Sequence, residues 1–166
     1  MTYLVGFLVL APVAVLESTV LTRLHVLGGS LNLVLLVVLS WTLAGDWVGG
    51  IAWGFIGGLL LDLLSGGPLG ALSVAVTLMA YLASLSEGRF WRSHVLLPLA
   101  AASLGTLGYQ LINLGLLAAF GHQVNGGRAL IELTLPSAAL NALAMLPVYF
   151  AVRWLHGVLY PPTVTA

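Results

Sequence analysis

The chain has 166 residues, of which 60% are hydrophobic and only 6% charged, and its mean hydropathy is +1.10. A water-soluble domain carries roughly 25% charged residues, so this composition excludes one and points to an integral membrane protein. Five Arg balance five acidic residues, with no Lys and no Cys. That leaves no basic stripe to hold nucleic acid and no thiol for disulfide, zinc or nucleophilic chemistry.

A helix needs about 20 apolar residues to cross the hydrocarbon core. Polar residues, Gly and Pro divide the chain into six such segments, near 3–22, 30–45, 47–64, 69–86, 94–120 and 132–156. With connections too short to fold separately, the expectation is one all-α transmembrane domain over residues 1–166, a bundle of about six helices. The first segment follows Met1 without a basic leader or a clear cleavage site, and reads as a retained helix. It carries Glu17, an intramembrane carboxyl group expected to pair with an Arg or with an amide of the fifth helix. The second segment, Leu31 to Leu43, is apolar almost all round and is expected to face lipid.

The third segment holds the chain's most unusual pattern. Gly50, Gly54 and Gly58 are spaced four apart, and Asp62 is the next position in that series. A spacing of four keeps residues near one helical face, so Asp62 falls on a glycine stripe where another helix can approach closely. The carboxylate therefore points at protein. It either caps a neighbouring turn or contributes to a functional face. Ser65-Gly66-Gly67-Pro68 then ends the helix, with glycines free to adopt positive φ and Pro68 suited to the first turn of the next one. A phosphate loop would need a Lys and a Ser or Thr at fixed spacing, so this block, through Leu69-Gly70, is a structural turn.

The fourth segment carries a small and polar stripe, Gly70, Ser73, Thr77, Ala80 and Ser84. The fifth carries Ser103, Thr106, Gln110 and Asn113, and is long enough to tilt or to break at its glycines. Both stripes suit helix association, and either could line a ligand pocket. The sixth contains Pro136 and Pro147, where kinks are expected. His25, His94, His122 and His156 lie near segment ends without metal-ligand spacing, and no catalytic constellation, cofactor motif or metal site stands out.

Six crossings place both termini on one side. Arg89, Arg92 and Arg153 fall on that side against Arg23 and Arg128 on the other, which favours cytoplasmic termini. Tyr3, Trp41, Trp47, Trp91, Trp154 and Tyr160 also fall near the terminus-bearing side, as an interfacial aromatic belt would.

Taken together, Asn32 to Leu39, Gly54-Phe55, Gly58 to Gly66, Leu69-Gly70 and Tyr81-Leu82 resemble the central block of the rod shape-determining protein MreD family. The resemblance covers residues 30–85, and the remaining helices agree in hydropathy. The family often has Pro before the Asn position of helix 2, where this chain has Leu31. The resemblance implies a non-enzymatic scaffold in the bacterial inner membrane, part of the cell-elongation complex. It implies association with MreC, a single-span protein. Through MreC it implies a link to MreB filaments, a RodA-type glycosyltransferase and a class B penicillin-binding transpeptidase. Under this reading Glu17, Gly50, Gly54, Gly58, Asp62, Gly66, Gly67, Pro68, Gly70, Gln110 and Asn113 are partner-binding or structural residues.

Two other classes remain open from the residues alone. One is a small-molecule-binding membrane subunit similar to the substrate-binding component of an energy-coupling-factor transporter. Ala11 and Ala14, three apart with Pro12 between them, make a poor docking face for that role. The other is an ion-coupled transporter using Glu17 and Asp62, which would need a water path joining them.

Overall fold

A computed structural model describes residues 2–20, 28–85, 96–121, 127 and 133–160. Among these residues six helices follow one another: α1 (Thr2–Thr19), α2 (Leu33–Leu43), α3 (Trp47–Ser65), α4 (Ala71–Leu85), α5 (Leu96–Ala119) and α6 (Leu135–Leu159). Arg23, His25, Arg89, Trp91, Arg92, His94, His122 and Arg128 lie outside the described residues.

The helices alternate in direction, as cross-contacts show. Glu17 near the end of α1 meets Val34 at the start of α2, and Trp41 near the end of α2 stacks on Trp53 in the first half of α3. Asp62 near the end of α3 meets Ser73 at the start of α4. Asn141 near the start of α6 meets Asn32, whereas His156 near its end lies 5.0 Å from Trp41. One end of the bundle therefore gathers Glu17, Asn32, Asp62 and Asn141, and the other gathers Trp41, Trp53, His156 and Tyr160. We call these the carboxyl end and the tryptophan end.

By length and composition α3, α5 and α6 can each cross a membrane, while α1, α2 and α4 are shorter apolar helices. At about 1.5 Å per residue, the 11 residues of α2 rise only about 16 Å, against a hydrocarbon core of about 30 Å. Non-helical backbone, 28–32 and 66–70, directly precedes α2 and α4. At membrane depth such backbone is tolerated only where protein or an aqueous cavity satisfies it. That requirement explains much of the carboxyl end.

Two expectations fail here for instructive reasons. The second helix does not face lipid: ten of its eleven residues, Val34 through Leu43, are buried, and α2 packs against each of the other five helices. A helix apolar all round suits a protein core as well as lipid, and its shortness makes the core the stable place. Trp41 likewise leaves the interfacial belt. It is fully buried, its ring 3.9 Å from that of Trp53, and its indole N–H donates to Asp46 Oδ2 at 3.0 Å. Tyr3, Trp47 and Trp154 keep exposed positions.

The prolines and glycines expected to bend or interrupt helices lie at a helix start or inside continuous helices. Pro136 lies in the first turn of α6, where its missing N–H costs nothing, and the helix continues past Pro147 to Leu159. The fifth helix is continuous through Gly105 and Gly108. Those glycines admit Leu39 from α2 and Met79 from α4, whose side chains a Cβ would meet.

Candidate functional site

The carboxyl end is built from two helix starts that lack their own caps. The first turn of any helix presents four N–H groups without intrahelical partners. In α4 the position preceding the helix is Gly70, with φ +96° and no side chain to offer. Asp62, reaching across from α3, takes that role. Its Oδ2 accepts from the N–H of Gly70 at 3.0 Å and of Ser73 at 3.0 Å, and its Oδ1 from the N–H of Leu72 at 2.9 Å. The Ser73 hydroxyl donates to the same Oδ2 through a short bond. With four donors and the positive end of α4 before it, the Asp62 side chain is well satisfied although its residue is only 2% exposed.

The start of α2 repeats the arrangement. Asn32 precedes the helix but makes no side-chain capping bond. Instead Glu17 Oε2 accepts from the Val34 N–H at 2.8 Å, and Asn141 Oδ1 accepts from the Asn32 N–H at 2.9 Å. Glu17 therefore finds the backbone of α2, where a helix-5 amide was expected, and the Arg residues expected as its alternative partners, Arg23 and Arg128, lie outside the described residues. The reason is that a buried helix start offers unpaired N–H groups at no further desolvation cost. Asn141 passes the chain of bonds on, its Nδ2 donating to Thr106 Oγ1 at 3.1 Å, whose hydroxyl donates to the Ala102 carbonyl at 2.7 Å. Beside it Ser137 Oγ accepts from the Ser30 N–H at 2.9 Å. Gly29 makes this approach possible, since a Cβ there would strike the backbone of Pro136 and Ser137.

The glycine series divides between two neighbours. Each step of four residues turns about 40° around a helix of 3.6 residues per turn, so Gly50 and Gly58 differ by about 80°. Accordingly a Cβ on Gly50 would meet Thr42 of α2, whereas one on Gly54 would lie 3.1 Å from Thr77 Cα and one on Gly58 would overlap Ser73 Cα, both in α4. The close approach that the stripe permits is thus already taken up inside the bundle, and α3–α4 is the most extensive helix pair.

The turn between them uses its glycines unequally. Gly66 ends α3 in the left-handed region, φ +66°, and Gly70 is left-handed too, while Gly67 is exposed without positive φ. Pro68 does not enter the first turn of α4. It opens the preceding turn, its carbonyl accepting from the Ala71 N–H at 3.3 Å. Asn113 of α5 faces Asp62, Gly67 and Pro68 across a cavity of about 180 Å³, and Gln110 sits half-buried beside Tyr109.

A larger cavity, about 410 Å³, opens between α1, α2, α3 and α5, with Glu17, Asn32, Tyr109, Ser18, Ser30 and Ser65 among its walls. On the outer face of α3 and α4 lies a groove of about 660 Å³, lined by Phe55, Leu59, Val74, Leu78 and Tyr81 among others. Glu17 and Asp62 share one end of the bundle, and Asp62 is consumed by capping, so the two do not form a relay through the membrane.

Sequence reasoning passed over Asn141, Asp46 and Tyr109. Asn141 could have been singled out as the one Asn in the sixth apolar segment. Asp46 could have been read as a helix cap, because it directly precedes α3 and its Oδ1 accepts from the Gly49 N–H at 2.8 Å. Nothing in the sequence near Tyr109 announces its burial beside Glu17.

The family model described as rod shape-determining protein MreD matches residues 1–158, nearly the whole chain. No curated protein and no solved structure matches.

Proposed function

Because the chain belongs to the rod shape-determining protein MreD family, a membrane protein family of cell-shape determination, we propose that it is a non-enzymatic scaffold of the bacterial cell-elongation complex. In this reading it binds the transmembrane helix of an MreC-like single-span protein in the inner membrane. Through that partner it helps position peptidoglycan synthesis by a RodA-type glycosyltransferase and a class B transpeptidase, in register with MreB filaments. Both termini are cytoplasmic, so the carboxyl end faces the periplasm.

The observation that supports this reading is the outer face of α3 and α4. The glycine stripe itself is filled by α2 and α4, so a partner helix must use another surface, and the groove on the outer face of α3 and α4 is apolar. Without a hydrophobic driving force between helices in lipid, association rests on shape and close contact, which a groove provides and a convex face does not. Val74 projects into this groove and is exposed. Val74→Trp is therefore expected to fill it and to reduce co-purification of the MreC-like partner from native membranes severalfold, with the protein's own thermal stability unchanged. Undiminished recovery of the partner would remove this face from consideration.

A further inference from the structure

The capping network leaves one polar group unused. The Asn32 side-chain Nδ2 is buried without a hydrogen-bond partner, in a residue only 7% exposed. A buried donor left unpaired is costly, and native structures retain few of them. Asn32 lines the 410 Å³ cavity, whose inner wall also carries Glu17 and Tyr109, at 7% and 6% exposure. Ser65 and Leu64 lie exposed at its rim. The cavity is thus polar at its floor and partly apolar at its mouth.

Its chemistry selects among ligand classes. The one charged side chain among its described lining residues is the carboxyl group of Glu17, which disfavours an anionic group at the floor. An ammonium group has only donors, and would leave the Asn32 donor orphaned. A hydroxyl both donates and accepts. It can take the Asn32 N–H and return a hydrogen bond to the Glu17 carboxyl or to a serine hydroxyl. Several hydroxyls on one small frame would match the several polar walls. We infer that this cavity binds a neutral polyhydroxyl group, such as a sugar ring, carried by a membrane lipid headgroup or free in solution. The site is separate from the α3–α4 groove and does not depend on the partner assigned to that groove.

The test uses the full chain in phosphatidylcholine nanodiscs containing monoglucosyl diacylglycerol, with bound lipid counted by native mass spectrometry. A parallel sample has phosphatidylcholine alone with added methyl glucoside. Preferential retention of the glucosyl lipid identifies a headgroup, and binding of methyl glucoside identifies a free sugar. Asn32→Leu is expected to reduce either signal about tenfold, the loss of one buried hydrogen bond. It keeps the backbone bond from residue 32 to Asn141, so the fold survives. Tyr109→Phe, which removes only a hydroxyl from the wall, is a second variant expected to weaken retention with an unchanged melting curve. Equal retention of glucosyl lipid and phosphatidylcholine, with no methyl glucoside bound, would overturn the inference and leave a cavity filled by water. So would wild-type retention by both variants.

Discussion

At the scale of single residues, the acidic side chains among the described residues serve as caps at helix starts. Glu17, Asp46 and Asp62 each accept from an N–H at the start of a helix: α2, α3 and α4 respectively. A carboxyl group at the centre of a membrane helix costs about 2.5–3.5 kcal/mol, but the first turn of a buried helix presents donors that would otherwise go unpaired. The two costs cancel when they are brought together. Asp62→Ala is therefore expected to be severe, because it strands three N–H groups and a hydroxyl. A loss of about 3 kcal/mol or more follows from leaving buried donors unsatisfied, measurable by denaturant unfolding in detergent micelles. Asp46→Ala removes the α3 cap and strands the buried Trp41 indole N–H, and is expected to cost about 2 kcal/mol.

At the scale of elements, the short helices are the ones that shape the bundle. Because α2 is too short to reach both membrane surfaces, it is enclosed by its neighbours, and its start is supported by Glu17 and Asn141. The glycines of α3 let α4 lie close against it. Gly58→Leu is expected to push α4 away and destabilise the protein by about 3 kcal/mol, at the upper range of overpacking costs. Gly115→Leu, at an α5 position with open space around it, is expected to be neutral or slightly stabilising, since Gly is a poor helix residue. Thermal unfolding of the two variants side by side separates packing from propensity.

At the scale of the whole molecule, alternation of six helices brings the start of α1 and the end of α6 to the same end of the bundle. Gly6 of α1 lies against the Trp53 ring, Trp53 stacks on Trp41, and Trp41 is 6.2 Å from Tyr160. The exposed turn at Gly67 occupies the opposite end. The chain has no Cys, so single cysteines can be introduced without a background. Gly67→Cys and Tyr160→Cys are expected to react with an impermeant maleimide from opposite sides of the membrane, Gly67→Cys from the periplasm under the proposed orientation. Labelling of both from one side would contradict the alternating bundle.

Periodicity, composition and punctuation were enough to place the helices, because each is bounded by Gly, Pro or polar residues whose local chemistry decides where a helix can run. The family resemblance was equally legible, in the block from Asn32 to Leu82. The four-residue series placed Asp62 next to Gly58 on a face suited to close approach, and the structure puts α4 there. What the sequence could not decide was which neighbour each face meets. Gly50 turns to α2 while Gly54 and Gly58 turn to α4, Glu17 finds the backbone of Val34, and an apolar helix that lipid would have accepted is enclosed as the core. Hydropathy does not distinguish lipid from protein interior, and the partner of a buried polar group is set by residues distant in sequence. Those choices belong to the tertiary structure alone.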